Sequence, residues 1–255
     1  CPHRGLFFAL KKLKVTVTGD IGCYTLATLP PLGAMDSCIC MGASIGNAHG
    51  MEKALGQDGA GKVVAVIGDS TFLHSGVTGL MNVVYNRGVS TVILLDNDIT
   101  AMTGAQENPA TGKTLHGEPT RRTDLPALCR ALGVEHVYTV NPHDMELTEK
   151  VLRREVARPE PSVIITKAPC ALLPEHRRKN RPVYEVIADL CTGCKACSRL
   201  GCPAIEWVHF TPEEAVAAGK KATQKGSARI SPLLCDGCNQ CPPLCKFQAI
   251  LEKKS

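Results

Sequence analysis

Eight cysteines crowd the last 65 residues in two runs, Cys191, Cys194, Cys197, Cys202 and Cys235, Cys238, Cys241, Cys245. In each run three thiolates recur at a spacing of three, which lets them wrap one corner of an iron–sulfur cubane while a fourth ligand comes from elsewhere. Zinc is the rival, but zinc sites usually pair two C-x2-C units rather than two runs of four. Thiolates at this density point to metal ligation in a reducing compartment, and we expect a cytoplasmic protein. Harder ligands stand upstream. Asp69 follows the β-branched run Val63 to Ile67, and Asn97 follows the next such run, 28 residues after Asp69. Their oxygens suit magnesium shared with a phosphate. Gly68 lets the backbone turn closely, and a helix starting near Ser70 aims amides at an anion.

The elements that must position these groups are legible as a pattern. Val63 to Ile67, Thr91 to Leu95, Val137 to Val140 and Val163 to Thr166 read as strands. Between them Ser44 to Leu55, Ser70 to Arg87, Asp124 to Leu132 (with Thr123 as N-cap) and His143 to Ala157 read as helices. The alternation predicts an α/β domain with a parallel sheet covered on both faces, whose carboxyl edge carries Asp69 and Asn97. The polar stretch Pro174 to Pro182 has linker composition. Beyond it, ADLCTGCKACSRLGCPAI (188 to 205) aligns with PLLCDGCNQCPPLCKFQAI (232 to 250), an internal repeat that implies a small pseudo-two-fold domain. Thr211 to Gly226, between the copies, predicts a short surface helix and a loop.

Composition excludes several classes. With 44% hydrophobic and 21% charged residues the chain is not disordered, and no run approaches the ~18 apolar residues of a membrane span. The net charge of +5 falls to about +1 if eight thiolates hold two clusters of charge about −2 each, so nucleic acid is not an expected partner. The chain opens Cys1-Pro2-His3-Arg4 without methionine or secretory signal, which suggests a piece of a longer polypeptide or a processed product.

The cysteine runs resemble those of bacterial two-cluster ferredoxins, in which the fourth cysteine of each run ligates the other cluster. The resemblance implies one 4Fe-4S cluster on Cys191, Cys194, Cys197 and Cys245 and another on Cys235, Cys238, Cys241 and Cys202. Two departures are visible: four residues rather than three precede Cys202, and Lys246 replaces the proline usual after the fourth cysteine.

GDS at 68–70 and DN at 96–97 resemble the thiamine diphosphate signature, GDG followed by NN. By that resemblance Asp69, Asn97 and the carbonyl of Ile99 hold Mg2+. DNDITAMTGAQENPATG (96 to 112), which contains Thr103, is similar to the loop after the magnesium site of 2-oxoacid:ferredoxin oxidoreductases. Together with CPHR at the start and TGDIGCYTLATLPPLGAMDSCICMGASIGNAHG (18 to 50), it resembles the large subunit of the indolepyruvate ferredoxin oxidoreductase family along nearly the whole chain. The resemblance implies a diphosphate-binding domain (1–175), a linker (176–187) and a small α+β ferredoxin-like domain (188–255).

Met41, 28 residues before Asp69, stands where that family bends the cofactor over a wedge. Gly42, Ser44 and Gly46 would let the next helix approach the cofactor, and Gly19, Asp20, Ile21 and Gly22 would form a loop near the diphosphate or the reaction centre. Cys1, Cys23 and Cys170 are either three ligands of a third, proximal cluster, with a fourth before Cys1, or buried thiols. Cys38, Cys40 and Cys129 read as core. His3 and His74 could move protons or be satisfied polar residues.

The implied activity is coenzyme A-dependent oxidative decarboxylation of an aryl 2-oxoacid with ferredoxin as electron acceptor. The activating glutamate would come from an upstream pyrimidine-binding domain, and a smaller subunit would complete a dimer of heterodimers. Pyruvate or branched-chain oxoacids as substrates, or an electron-transfer module without activity of its own, are the alternatives.

Overall fold

The computed structural model describes residues 1–174 and 181–253, so most of the Pro174 to Pro182 stretch lies outside the described residues. The chain divides into two compact units, 1–29 with 33–176 and 30–32 with 177–255. No helix among the described residues is long and apolar enough to cross a membrane.

In the first unit, β1 (Thr16–Gly19), β2 (Ser37–Cys38), β3 (Val63–Gly68), β4 (Thr91–Asp96), β5 (His136–Val140) and β6 (Ser162–Lys167) form one parallel sheet of order β2-β1-β3-β4-β6-β5. All six residues of β3 and of β4 are buried, as expected for central strands covered on both faces. The covering helices are α1 (Arg4–Leu13), α2 (Ala43–Leu55), α3 (Asp69–Thr71), α4 (Val77–Tyr85), α5 (Leu125–Ala131) and α6 (Met145–Val156). Ile45 from α2, Leu80 and Val83 from α4 and Cys129 from α5 pack with Ala65, Ile67, Val92 and Leu94 in one core cluster.

Three local expectations are corrected. The helix expected over Ser70 to Arg87 begins at Asp69, loosens into a π turn over Phe72–Gly76 and ends at Tyr85. The N-cap of α5 is Asp124, whose carboxylate accepts from the Ala127 amide at 2.9 Å, and not Thr123. Cys129 is buried, but Cys38 is half-buried and Cys40 exposed, so neither of those two is core.

In the second unit, β7 (Tyr184–Val186) pairs antiparallel with β10 (Ile250–Glu252), and β8 (Ile205–His209) with β9 (Gly226–Ile230). β7 thus lies inside the stretch assigned to the linker. The helix between the copies is α7 (Pro212–Ala217), opened by a Thr211/Glu214 capping box. The repeat is visible in the backbone. Gly193 and Gly237, the third residues of the two runs, have φ of 69° and 68°, and Lys195 and Asn239 have 61° and 60°. A side chain at Gly193 would strike the Gly226 carbonyl at 2.5 Å and one at Gly237 the Pro182 carbonyl at 2.2 Å, so both loops need glycine there.

Candidate functional site

β3 and β4 are hydrogen-bonded neighbours with Gly68 opposite Leu95, so the chain leaves the sheet at Asp69 and Asn97 side by side. There a cleft is lined by Gly22, Met41, Gly68, Asp69, Ser70, Asn97, Ile99 and Thr103, eight of the expected cofactor-binding residues. Cys1, His3 and Cys23 line it too. Cys170 is tied to the same edge, its amide donating to the Asn97 carbonyl at 2.9 Å.

Asp69 is 3% exposed, and burial pushes its carboxyl up to about 7, with Asp96 and Asp98 adding repulsion. A divalent cation here would favour the ionised form. The Asn97 side chain closes its own turn, its Oδ1 accepting from the Ile99 amide at 3.2 Å. Asp96 is paired with Lys167 at 2.9 Å and Asp98 with Arg122, so of these three carboxylates Asp69, which lines the cleft, is the one with no cationic partner among the described residues. Asn108 was not singled out in the sequence. It is buried, its Nδ2 donates to Asp69 at 3.4 Å and to Thr100 Oγ1 at 3.3 Å, and its Oδ1 accepts from the Ala110 amide at 2.8 Å. Tyr24 was also missed: its hydroxyl donates to the Ile21 carbonyl and accepts from the Gly68 amide, and its ring leaves no room for a Cβ at Gly22. An asparagine or a tyrosine in a loop carries no sequence signal of such a contact; only the folded loop supplies it.

Other expected residues act from behind the cleft. Asp20 is fully buried and does not line it. Its carboxylate accepts from the amides of Ile21 (2.8 Å), Gly42 (2.9 Å) and Ser44 (3.1 Å), fixing the turn that presents Met41. Ser44 is buried with Oγ lacking a partner among the described residues, and Gly46 sits on an exposed part of α2. His74 is exposed in the π turn and outside the cleft. Gly42 has φ 87°, and a Cβ there would meet Ser75 Oγ at 2.3 Å. Gly42→Ala is therefore expected to destabilise this unit by about 1–3 kcal/mol, measured by denaturant unfolding.

His3 is 1% exposed, its Nε2 donating to the Thr166 carbonyl at 2.8 Å, so that nitrogen is committed to structure. Burial lowers its pKa from 6.5 to about 4, the hydrogen bond to Thr166 opposing. The folded state thus binds the proton less readily than the unfolded chain. The neutral ring's contribution is complete above pH 6.5 and declines as pH falls toward 4. Unfolding free energy is expected to drop by about 2 kcal/mol between pH 7.5 and pH 5, and His3→Gln should flatten that slope.

In the second unit a small cavity is lined by Cys191, Cys194 and Cys197 of the first run together with Cys245 of the second. The Ala249 amide donates to Cys245 Sγ at 3.3 Å. Conversely Cys202 of the first run lies close enough to Cys238 and Cys241 to act on both thiols. Burial, with those neighbours and Cys235, pushes Cys241 up to about 12. Among the described residues no three His, Cys, Asp or Glu side chains converge on a single metal ion. A cubane spreads its thiolates over separate iron corners and needs no such convergence.

The model of the thiamine pyrophosphate enzyme C-terminal TPP-binding domain matches residues 20–166, more than half of the chain. The chain belongs to this family, as the parallel sheet and the cleft at its carboxyl edge had indicated. Its curated relatives are narrower in kind. Indolepyruvate oxidoreductase subunit IorA of Pyrococcus abyssi is 42% identical over 98% of this chain and 39% of its own length, and that of Thermococcus kodakarensis 40% identical over 100% and 40%. The chain thus spans about two fifths of the length of the curated relatives it matches. A solved 2-oxoglutarate:ferredoxin oxidoreductase from Magnetococcus marinus shares the fold, with TM-score 0.57 and 15% identity over 67% of this chain and 62% of that one.

Proposed function

We propose that this chain is the diphosphate-binding and cluster-bearing part of an indolepyruvate-type 2-oxoacid:ferredoxin oxidoreductase. The whole enzyme would decarboxylate an aryl 2-oxoacid oxidatively in the cytoplasm, pass the acyl group to coenzyme A and the electrons to ferredoxin. The observation that carries this reading is the pairing, on one chain, of a cleft lined by Asp69, Asn97 and Ile99 with a cavity that collects cysteines from both runs.

Asp69, Asn97 and the Ile99 carbonyl would hold Mg2+, and the backbone at Ser70 would face the diphosphate. Bound thiamine diphosphate supplies the carbanion chemistry of decarboxylation. This chain's residues orient and enclose it. Asp20 fixes the Met41 turn from below, and Asn108 anchors the 100–112 loop to the magnesium carboxylate. Cys191, Cys194, Cys197 and Cys245 would hold one 4Fe-4S cluster, and Cys235, Cys238, Cys241 and Cys202 the other. Cys1, Cys23 and Cys170 would contribute to a third, near the cleft. A pyrimidine-binding domain and a smaller subunit complete the enzyme, as a dimer of such pairs.

The test is viologen reduction by the anaerobically purified complex, given coenzyme A and indolepyruvate, phenylpyruvate or pyruvate in turn. Aryl-dependent reduction is expected. Silence with every oxoacid, in protein shown to hold iron and thiamine diphosphate, would favour an electron-transfer module.

A further inference from the structure

We infer that the two cysteine quartets are electrostatically unequal, so that the cluster on Cys191, Cys194, Cys197 and Cys245 has the higher reduction potential and is where a single electron resides. The inference rests on the cluster reading given under Proposed function and adds an order to it. The internal repeat makes the two loops equal in backbone, with the same left-handed residues at the same places. Their charges are opposite.

In the first loop, Lys195 lies between Cys194 and Cys197, and its side chain lines the same cavity as the four cysteines. Its ammonium sits 4.5 Å from the Trp207 ring centroid, a contact that holds the cation at the cavity wall. Lys195 has no carboxylate partner among the described residues. Lys246 directly follows Cys245, adding a second basic residue beside the quartet.

In the second loop, Asp236 lies between Cys235 and Cys238. Arg181, at 3.2 Å, offsets that carboxylate in part, since both partners of the pair are half-buried and partly screened by water. Glu252 stands opposite Tyr184 across the β7–β10 pair, and the Tyr184 hydroxyl donates to Asn239 Oδ1 of the second loop at 2.9 Å. The second loop therefore carries a carboxylate, paired with Arg181, where the first carries a lysine with no carboxylate partner among the described residues.

Solvent access works in the same direction. Cys194 is exposed, whereas Cys235 and Cys241 are buried. Reduction adds one electron to a cluster that is already anionic, so water and cations favour the reduced form while burial and carboxylates disfavour it. Charge and exposure both set the first quartet above the second. Because Lys195 is itself exposed, water damps its field and the effect is severalfold rather than many decades.

The experiment is a dithionite titration of the complete complex, without 2-oxoacid or coenzyme A, followed by electron paramagnetic resonance at controlled potential. Each cluster takes one electron from dithionite. Of the two midpoints that belong to the clusters of the second unit, the higher is expected to fall in Lys195→Gln, cutting the reduced-to-oxidised ratio at fixed potential by about threefold or more. That is about 28 mV at 59 mV per decade for one electron. Asp236→Asn is expected to raise the lower midpoint by a similar factor, and Lys195→Arg to leave both in place. A Lys195→Gln shift confined to the lower midpoint, or no shift of either, overturns the inference. Parent complex without iron, acid-labile sulfide or cluster signals would instead reject the cluster reading itself.

Discussion

Asp69→Ala, introduced into the assembled complex, is expected to reduce 2-oxoacid-dependent dye reduction by more than about a hundredfold while iron and acid-labile sulfide stay unchanged. Losing a group that merely supports a metal ligand typically costs about 10–100-fold in metal affinity, so loss of a ligating oxygen exceeds that range. The substitution should not harm the fold. In the metal-free protein the Asp69 carboxyl is destabilised by burial and by Asp96 and Asp98, which is why its pKa rises to about 7. Above that pH the folded state bears the cost of an ionised, unpaired group, and alanine removes the cost. Metal-free Asp69→Ala is therefore expected to unfold no more readily than the parent at pH 8. Turnover within a few-fold of the parent would remove Asp69 from the magnesium site. A loss of iron along with turnover would show that the substitution acted on folding instead.

Cys245→Ala is expected to halve the iron held by the second unit, from about eight to about four atoms. The informative result comes from pairing it with a second substitution. The cavity groups Cys245 with Cys191, Cys194 and Cys197, so Cys245→Ala with Cys194→Ala strikes one cluster twice and leaves about four iron atoms. Cys245→Ala with Cys238→Ala strikes both clusters and leaves almost none. Ligation within each run would reverse these outcomes, because Cys238 and Cys245 would then serve the same cluster. Iron and sulfide analysis of the three variants, purified anaerobically, separates the two arrangements. The crossed arrangement would also make the unit's cohesion depend on its clusters, since each cluster would join residues from both copies of the repeat.

The sequence by itself determined the regular parts. Apolar β-branched runs place β3, β4 and β6 because strands buried on both faces admit little else, and these three and the edge strand β5 were each legible to within one or two residues at their ends. The two cysteine runs and the repeat around them were equally plain, since spacing along the chain is all that such a pattern needs. Asp69 and Asn97 could be placed at one sheet edge because consecutive parallel strands must end on the same side.

Tertiary structure decided what each polar side chain near that edge does. Asp20 looks from its glycine-rich neighbours like a cofactor contact, yet its carboxylate caps three amides and builds the Met41 turn. Asn108, distant in sequence and unremarked in pattern, reaches Asp69 because the 100–112 loop folds back over the cleft. The π turn at Phe72–Gly76 breaks a helix that periodicity extends unbroken, and Asp124 takes the cap in place of its neighbour Thr123. Opposite charges at Lys195 and Asp236 are visible in the sequence, but which thiols share a cavity with Lys195 is decided by the fold. Hydrophobic periodicity is a property of the local chain and survives without a fold. Hydrogen bonds and fields between residues far apart in sequence exist only once the chain has brought them together.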